Sequence, residues 1–134
     1  MTTSQFSDLT IDITKGLTKE EKKAYGIFIS PQSIIASLYS TVVEHLKNDL
    51  GSTRRILEPS CGTCELVNFC DSKFTGIEID GVEYNSKLYD SIKALKFKNT
   101  VNLYKEDFIK YKPDKLYDLV IGNPPYFVCK KTDI

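Results

Sequence analysis

The tetrapeptide Asn123-Pro124-Pro125-Tyr126 is the most specific chemical feature of the sequence. With each residue type at a frequency near ~5%, such a string should arise by chance in on the order of one chain in a thousand of this length. Proline fixes φ and lacks an amide donor, so the segment is stiff. The Asn123 side-chain oxygen and the Pro124 carbonyl could accept hydrogen bonds from a substrate amine, localising its lone pair and orienting it toward an electrophile. Tyr126 could stack on a base turned out of its duplex.

Two further segments have the residue types of a nucleoside-binding site. Glu78 lies about twenty residues beyond the start of a glycine turn, the separation at which such sheets place a carboxylate on ribose hydroxyls. Asp80 is predicted instead to cap the next helix. Asp107 could accept a hydrogen bond from an exocyclic amine, and Phe108 could face a purine ring.

The glycine turn itself runs from Glu58 to Gly62, where Gly62 lets the backbone approach a ligand closely and the following helix offers its first amides. Together the segments predict a cofactor site, and its predicted residues from the turn onward are Glu58, Pro59, Cys61, Gly62, Glu78, Ile79, Asp107 and Phe108.

Hydrophobic periodicity predicts the elements that must position these residues. Ser30 could cap a helix whose first turn holds Pro31 and which Gly51 ends. Strands are predicted at 55–58, 74–79, 100–104 and 116–121, the last apolar on both faces, with helices at 63–70 and 82–95. Strands separated by helical crossovers predict an α/β fold with a mostly parallel sheet. Ligands bind such sheets at the carboxyl ends of the strands, and each chemical segment follows a predicted strand.

Composition limits the functional classes. Lysine plus arginine total 18 against 18 acidic residues, so the strong positive field of a stand-alone nucleic-acid binder is missing, and contact with nucleic acid must be local or come from a partner. No run approaches the ~18 apolar residues that span a bilayer, and no signal peptide is seen, which predicts a cytoplasmic location. Cys61 and Cys64 could hold two corners of a zinc site, but no second close-spaced pair follows. We therefore predict no metal and interpret these cysteines as packing around a turn.

In order along the chain, these segments resemble the gamma-type arrangement of N6-adenine DNA methyltransferases, in which the cofactor motifs precede the catalytic loop. The stretch 23–31 resembles the N-terminal cofactor motif of that family and implies that Phe28 and Pro31 lie near the methionine end of the cofactor. Glu58 to Thr63 resembles its glycine loop, and the later segments resemble its ribose, adenine and catalytic motifs. The resemblance implies a three-layer, Rossmann-like fold, S-adenosylmethionine as cofactor, and methyl transfer to the N6 amine of adenine in DNA.

The resemblance covers roughly residues 23–128, and the family sheet has seven strands. We therefore expect an N-terminal extension at 1–22, which either wraps the domain or frays, and a partial catalytic domain at 23–134, truncated after the fourth strand. A missing C-terminal segment or a second polypeptide would then cover the edge of the fourth strand. Two alternatives remain open: a methyltransferase acting on RNA or on a protein glutamine, and a non-catalytic module that binds S-adenosylmethionine. The Glu-Pro-Ser-Cys-Gly loop favours the DNA family over the glutamine one.

Overall fold

The computed structural model describes residues 8–24 and 31–124, with the backbone alone for 22–24. Helices and strands alternate in the second half of the chain, as the periodicity predicts. In chain order the elements are α1 (Asp8–Lys15), α2 (Lys19–Ala24), α3 (Gln32–Leu46), β1 (Arg55–Glu58), α4 (Glu65–Lys73), β2 (Glu78–Glu83), α5 (Ser86–Ile92), β3 (Thr100–Lys105) and β4 (Leu119–Val120).

The four strands form one parallel sheet in the order β3-β2-β1-β4. Ile56 of β1 pairs with Ile79 of β2 and with Leu119 of β4, so these side chains lie side by side on one face of the sheet. Parallel neighbours need crossover connections, which α4 and α5 provide. The predicted α/β architecture with a parallel sheet is confirmed.

The hydrophobic core lies against this face of the sheet. Ile56 and Ile79 are fully buried at its centre, and α3, α4 and α5 contribute buried residues to the same cluster, among them Ile35, Cys70 and Ile92. Burying each isoleucine side chain stabilises the fold by roughly 1.5–3 kcal/mol. These helices hold the sheet in place beneath the loops that follow its strands.

The other face of the sheet carries a polar network centred on Asp80, which is only 2% exposed. Its carboxylate accepts hydrogen bonds from Asn102 Nδ2 at 2.9 Å, Arg55 Nη2 at 3.3 Å and the Tyr117 hydroxyl at 2.6 Å. A buried carboxylate requires such partners, because desolvation without them costs several kcal/mol. Since Tyr117 lies in the connection before β4, the network fastens that connection to the sheet.

The second strand and the helix after it are displaced from their predicted positions. Strand β2 begins at Glu78, where the predicted strand was to end, because Gly76 adopts a positive φ of 71° and turns the chain first. The helix begins at Ser86, not at residue 82, because β2 continues to Glu83. Asn85 caps this helix by accepting from the Leu88 amide at 3.1 Å, so the prediction that Asp80 is the cap is wrong.

Other element ends differ as well. Helix α3 ends at Leu46, before Gly51, because Lys47 turns to φ 44° and a 3-10 turn follows at Lys47–Ser52. Pro31 stands immediately before α3, and Ser30 lies outside the described residues. Strand β4 spans two residues, fewer than the predicted 116–121, and Val120 is 59% exposed.

Candidate cofactor and catalytic site

The loops after all four strands lie at one edge of the sheet, because the strands are parallel. Main-chain hydrogen bonds join neighbouring loops at this edge. The Cys61 amide donates to the Val82 carbonyl at 2.9 Å, the Glu106 amide to the Glu83 carbonyl at 3.1 Å, and the Ile121 amide to the Leu57 carbonyl at 3.0 Å. The structure therefore brings together the glycine turn, the start of the Asn-Pro-Pro-Tyr segment and the loops after β2 and β3.

The glycine turn after β1 has an unusual backbone. Gly62 has φ 55° and Cys64 has φ 66°, which places both in the left-handed region and only one of them at a glycine. Cys61 and Cys64 are buried inside the turn. A hydrogen bond with Cys64, together with burial, raises the pKa of the Cys61 thiol above its ordinary value, which is compatible with the packing role predicted for Cys61.

The acid at the end of β2 is Glu83, and not the predicted Glu78. The Glu83 carboxylate accepts the Gly62 amide at 2.8 Å and the Asn85 amide at 2.8 Å, so it ties the glycine turn to the next loop. Burial raises the pKa of Glu83, and these amides oppose the rise. Tyr84 follows it and is 74% exposed at the same edge.

Glu78 and Ile79, the predicted ribose acid and its neighbour, do not reach this edge. Glu78 opens β2 at the amino end of the sheet, where it lies 3.6 Å from Arg55 and accepts from Asn102 at 3.2 Å. Ile79 is completely buried in the core. Both predicted placements are wrong, because the strand starts where the prediction had it stop.

The sequence contains a pattern that could have identified Glu83 as the acid at the end of β2. The Gly81-Val82-Glu83 segment repeats the pattern Gly76-Ile77-Glu78 five residues later, and each glutamate is about twenty residues from one end of the glycine turn. Spacing alone could not choose between them. The apolar face of the following helix, Leu88 and Ile92, fits a helix that starts after Asn85 and therefore favours the second copy.

Glu58 sits between the glycine turn and the start of the Asn-Pro-Pro-Tyr segment, with 4% of its surface exposed. Burial raises its pKa to about 7, and the nearby Glu83 charge adds to the rise, whereas the Ser60 amide, 2.8 Å from Oε1, opposes it. A Cβ at Gly122 would lie 2.7 Å from Glu58 Oε1 and 3.1 Å from Pro59 Cδ. The two loops are therefore in close contact, and a side chain at position 122 would require Glu58 to shift.

Asn123 and Pro124 directly follow this contact, with Asn123 partly buried and Pro124 exposed. The structure thus places the first half of the predicted catalytic tetrapeptide beside the predicted cofactor turn. Pro125, Tyr126 and Phe28 lie outside the described residues, so their predicted roles stay predictions.

The remaining predicted ligands have identifiable local roles. Asp107 caps a 3-10 turn at Phe108–Lys110 by accepting the Ile109 amide at 3.0 Å, directly after β3. Phe108 is 45% exposed. The Pro31 carbonyl accepts the amides of Ile34 and Ile35 at the start of α3. A cavity of about 730 Å³ lies elsewhere, at the amino end of the sheet beside Gly76 and Glu78, away from all of these loops.

The chain is similar to known methyltransferases in both sequence and fold. No protein-family model matches the chain. Modification methylase CviBIII of Paramecium bursaria Chlorella virus NC1A is 37% identical over 128 residues, which are 96% of this chain and 33% of that protein. Type II methyltransferase M.CvrRI of Paramecium bursaria Chlorella virus XZ-6E is 34% identical over 122 residues, 91% of this chain and 30% of that protein.

The chain is homologous to part of these DNA modification methylases. It spans about a third of the length of these two viral relatives. Among solved structures, the plantazolicin methyltransferase BpumL, in complex with a triazolic desmethylPZN analog and SAH, aligns with a TM-score of 0.56 at 12% identity. The alignment covers 84% of this chain and 38% of that one. This likeness concerns the fold alone, and it confirms the predicted Rossmann-like methyltransferase fold.

In the described residues, no helix is both long and apolar enough to cross a membrane.

Proposed function

We propose that this chain carries the S-adenosylmethionine-binding part of a DNA methyltransferase that modifies the N6 amine of adenine. One observation carries the proposal: Gly122, the residue before Asn123, packs against Glu58 and Pro59, so the predicted catalytic loop and the predicted cofactor loop share one sheet edge. Homology to viral DNA modification methylases over more than nine tenths of the chain supports the same class of reaction. When bound, the cofactor would supply an electrophilic methyl group.

The residues at the sheet edge fit such a cofactor. Glu83 would accept the ribose hydroxyls, since a carboxylate offers about four acceptor sites and the Gly62 and Asn85 amides occupy two of them. Tyr84 and Phe108, both substantially exposed at this edge, would offer flat faces to the adenine ring. Asp107 would accept from the amine of that ring. The glycine turn, with its buried cysteines and close backbone, would hold the methionine end.

Asn123 and Pro124 would act on the substrate amine. An exocyclic amine conjugated to a purine ring is a poor nucleophile, because its lone pair is delocalised into the ring. Hydrogen bonds from that amine to Asn123 Oδ1 and to the Pro124 carbonyl would localise the lone pair and direct it toward the methyl group. No strong base is needed in this arrangement, because the hydrogen bonds themselves activate the amine.

A further polypeptide segment or a second chain would cover β4. Within the described residues this strand pairs with β1 alone, and Leu116 before it and Val120 within it are 92% and 59% exposed. An apolar strand edge of this kind is an association surface. The same additional polypeptide would supply the rest of the target-base pocket.

The test combines cofactor binding with methyl transfer. Calorimetric titration of the chain with S-adenosylmethionine should show binding, and Asn123→Ala should leave that binding nearly unchanged. Transfer of labelled methyl groups to adenine in duplex DNA, measured with the complete polypeptide or partner present, should fall by ~100-fold or more in Asn123→Ala, as expected for loss of a transition-state contact. Equal loss of binding and transfer would contradict the role of Asn123. Labelling of RNA or of a glutamine peptide in place of DNA would redirect the substrate assignment, and binding with no transfer to any of them would indicate a non-catalytic module.

A further inference from the structure

The glycine turn at the cofactor edge adopts a conformation that its own residues do not favour. Cys64 has a side chain yet lies in the left-handed region at φ 66°, and Thr63 is held between it and Gly62. Backbone of this kind persists only where surrounding contacts over-determine it.

The first of these contacts comes from helix α1, more than fifty residues earlier in the chain. Thr10 Oγ1 lies 2.7 Å from Thr63 Oγ1 and forms a short hydrogen bond with the Glu65 carboxylate. A carboxylate only accepts hydrogen bonds, so Thr10 must donate its single proton to Glu65 and accept from Thr63. The three side chains therefore form a directed chain from the turn, through α1, to the start of α4.

Glu65 is the centre of this group. Its other oxygen accepts a hydrogen bond from Gln32 Nε2 at 2.5 Å, and Gln32 is the first residue of α3, next to Pro31. Thr10, Thr63 and Glu65 are exposed by only 2%, 2% and 4%. A buried carboxylate that loses a donor keeps its desolvation penalty, so each of these hydrogen bonds matters to the geometry of the group.

The rest of α1 fits this interpretation. Leu9, the neighbour of Thr10, packs against the hydrophobic core, and Leu17 after the helix is buried. Within the described residues, α1 and Leu17 therefore pack on the domain, and Thr10 contacts it at the glycine turn.

We propose that Thr10 is a positioning residue of the cofactor site, through which helix α1 holds the turn 62–64 in the conformation that receives S-adenosylmethionine. The statement about cofactor rests on the proposed function, whereas the statement about the turn does not. Two measurements separate them.

The first measurement is amide hydrogen exchange in the cofactor-free chain. The Gly62 and Cys64 amides are protected by hydrogen bonds to Glu83 and to the Cys61 carbonyl. Thr10→Val removes the hydroxyl at nearly constant shape and should speed exchange of these two amides by about 10-fold or more, the effect of losing a hydrogen bond to a charged group. Thr10→Ser keeps the hydroxyl and should restore protection.

Thr14→Val is the matched control. Its hydroxyl lies on the same helix and, among the described residues, bonds only to the carbonyls of Thr10 and Ile11, so its removal should leave exchange at the turn unchanged. A folded Thr10→Val chain with wild-type exchange at Gly62 and Cys64 would overturn the proposal. If Thr10→Val does not fold, Thr63→Val removes the hydrogen bond between Thr63 and Thr10 from the other side. Wild-type exchange at Cys64 in that variant would equally overturn the proposal.

The second measurement is titration with S-adenosylmethionine. Thr10→Val should bind about 10-fold more weakly than wild type, with Thr10→Ser and Thr14→Val within about 2-fold. Wild-type affinity in Thr10→Val would overturn the link between α1 and the cofactor. Failure of the wild-type chain to bind would instead count against the proposed function, while the exchange result would still decide whether α1 holds the turn.

Discussion

Two glutamates in one strand provide a direct test of where the cofactor binds. Glu83 ends β2 beside the glycine turn, and Glu78 begins the same strand at the opposite end of the sheet. Both are glutamates in the same pattern, so Glu83→Ala and Glu78→Ala are chemically matched changes at two ends of one strand. We expect only the first to affect binding of S-adenosylmethionine.

The magnitude follows from the contacts. Glu83→Ala removes the acceptor of the Gly62 and Asn85 amides, both at 2.8 Å, together with the proposed ribose contacts. Hydrogen bonds to a charged group are each worth roughly 1.5–3 kcal/mol, so a net loss of about 3 kcal/mol, or ~100-fold in affinity, is expected. Glu78→Ala removes a 3.6 Å ion pair whose carboxylate side chain is 32% exposed, which should cost at most about 1 kcal/mol of stability and no affinity.

Isothermal titration calorimetry of the two variants and the wild type, with circular dichroism to verify folding, provides the measurement. If Glu78→Ala weakens binding as much as Glu83→Ala, the placement of the ribose acid by strand position is incorrect. Wild-type affinity in a folded Glu83→Ala chain would refute it outright.

Three further predictions concern stability. Gly122→Ala should lower the free energy of unfolding by about 1–3 kcal/mol in denaturant titration, because its Cβ would lie 2.7 Å from Glu58 Oε1. Gly51 has open space around it, so Gly51→Ala should change the free energy of unfolding by less than about 1 kcal/mol. The pKa of Glu58 is raised from 4.5 to about 7 on folding, so the protonated carboxyl stabilises the fold below pH 4.5 and this stabilisation is lost as pH rises through 7. The free energy of unfolding of the wild type should therefore fall by about 3 kcal/mol across this window. In urea titrations at several pH values, Glu58→Gln should show a flatter dependence on pH. Tyr117→Phe should destabilise by roughly 1.5–3 kcal/mol, since it removes the 2.6 Å hydrogen bond to buried Asp80, and a thermal midpoint equal to that of Tyr111→Phe would argue against a special role for that bond.

The amino-acid sequence alone determined the fold class and the order of the candidate site segments along the chain. Apolar periodicity and glycine turns reflect the local geometry of helices and strands, so β1, β3 and the alternation of strands with helices could be predicted from nearby residues. The Asn123 segment and the Glu58 turn were recognisable because each is a contiguous string whose chemistry does not depend on distant residues.

Tertiary structure decided which repeat of the Gly-x-Glu pattern reaches the site and what supports the turn. Pairing of Arg55 with Glu78 fixes the register of β2 against β1, and this register carries Glu83, five residues on, to the carboxyl edge of the sheet. The contact between Thr10 and Glu65 joins residues separated by 55 positions. Neither is encoded in a local pattern, because strand register and long-range side-chain contacts are set only when the whole core packs.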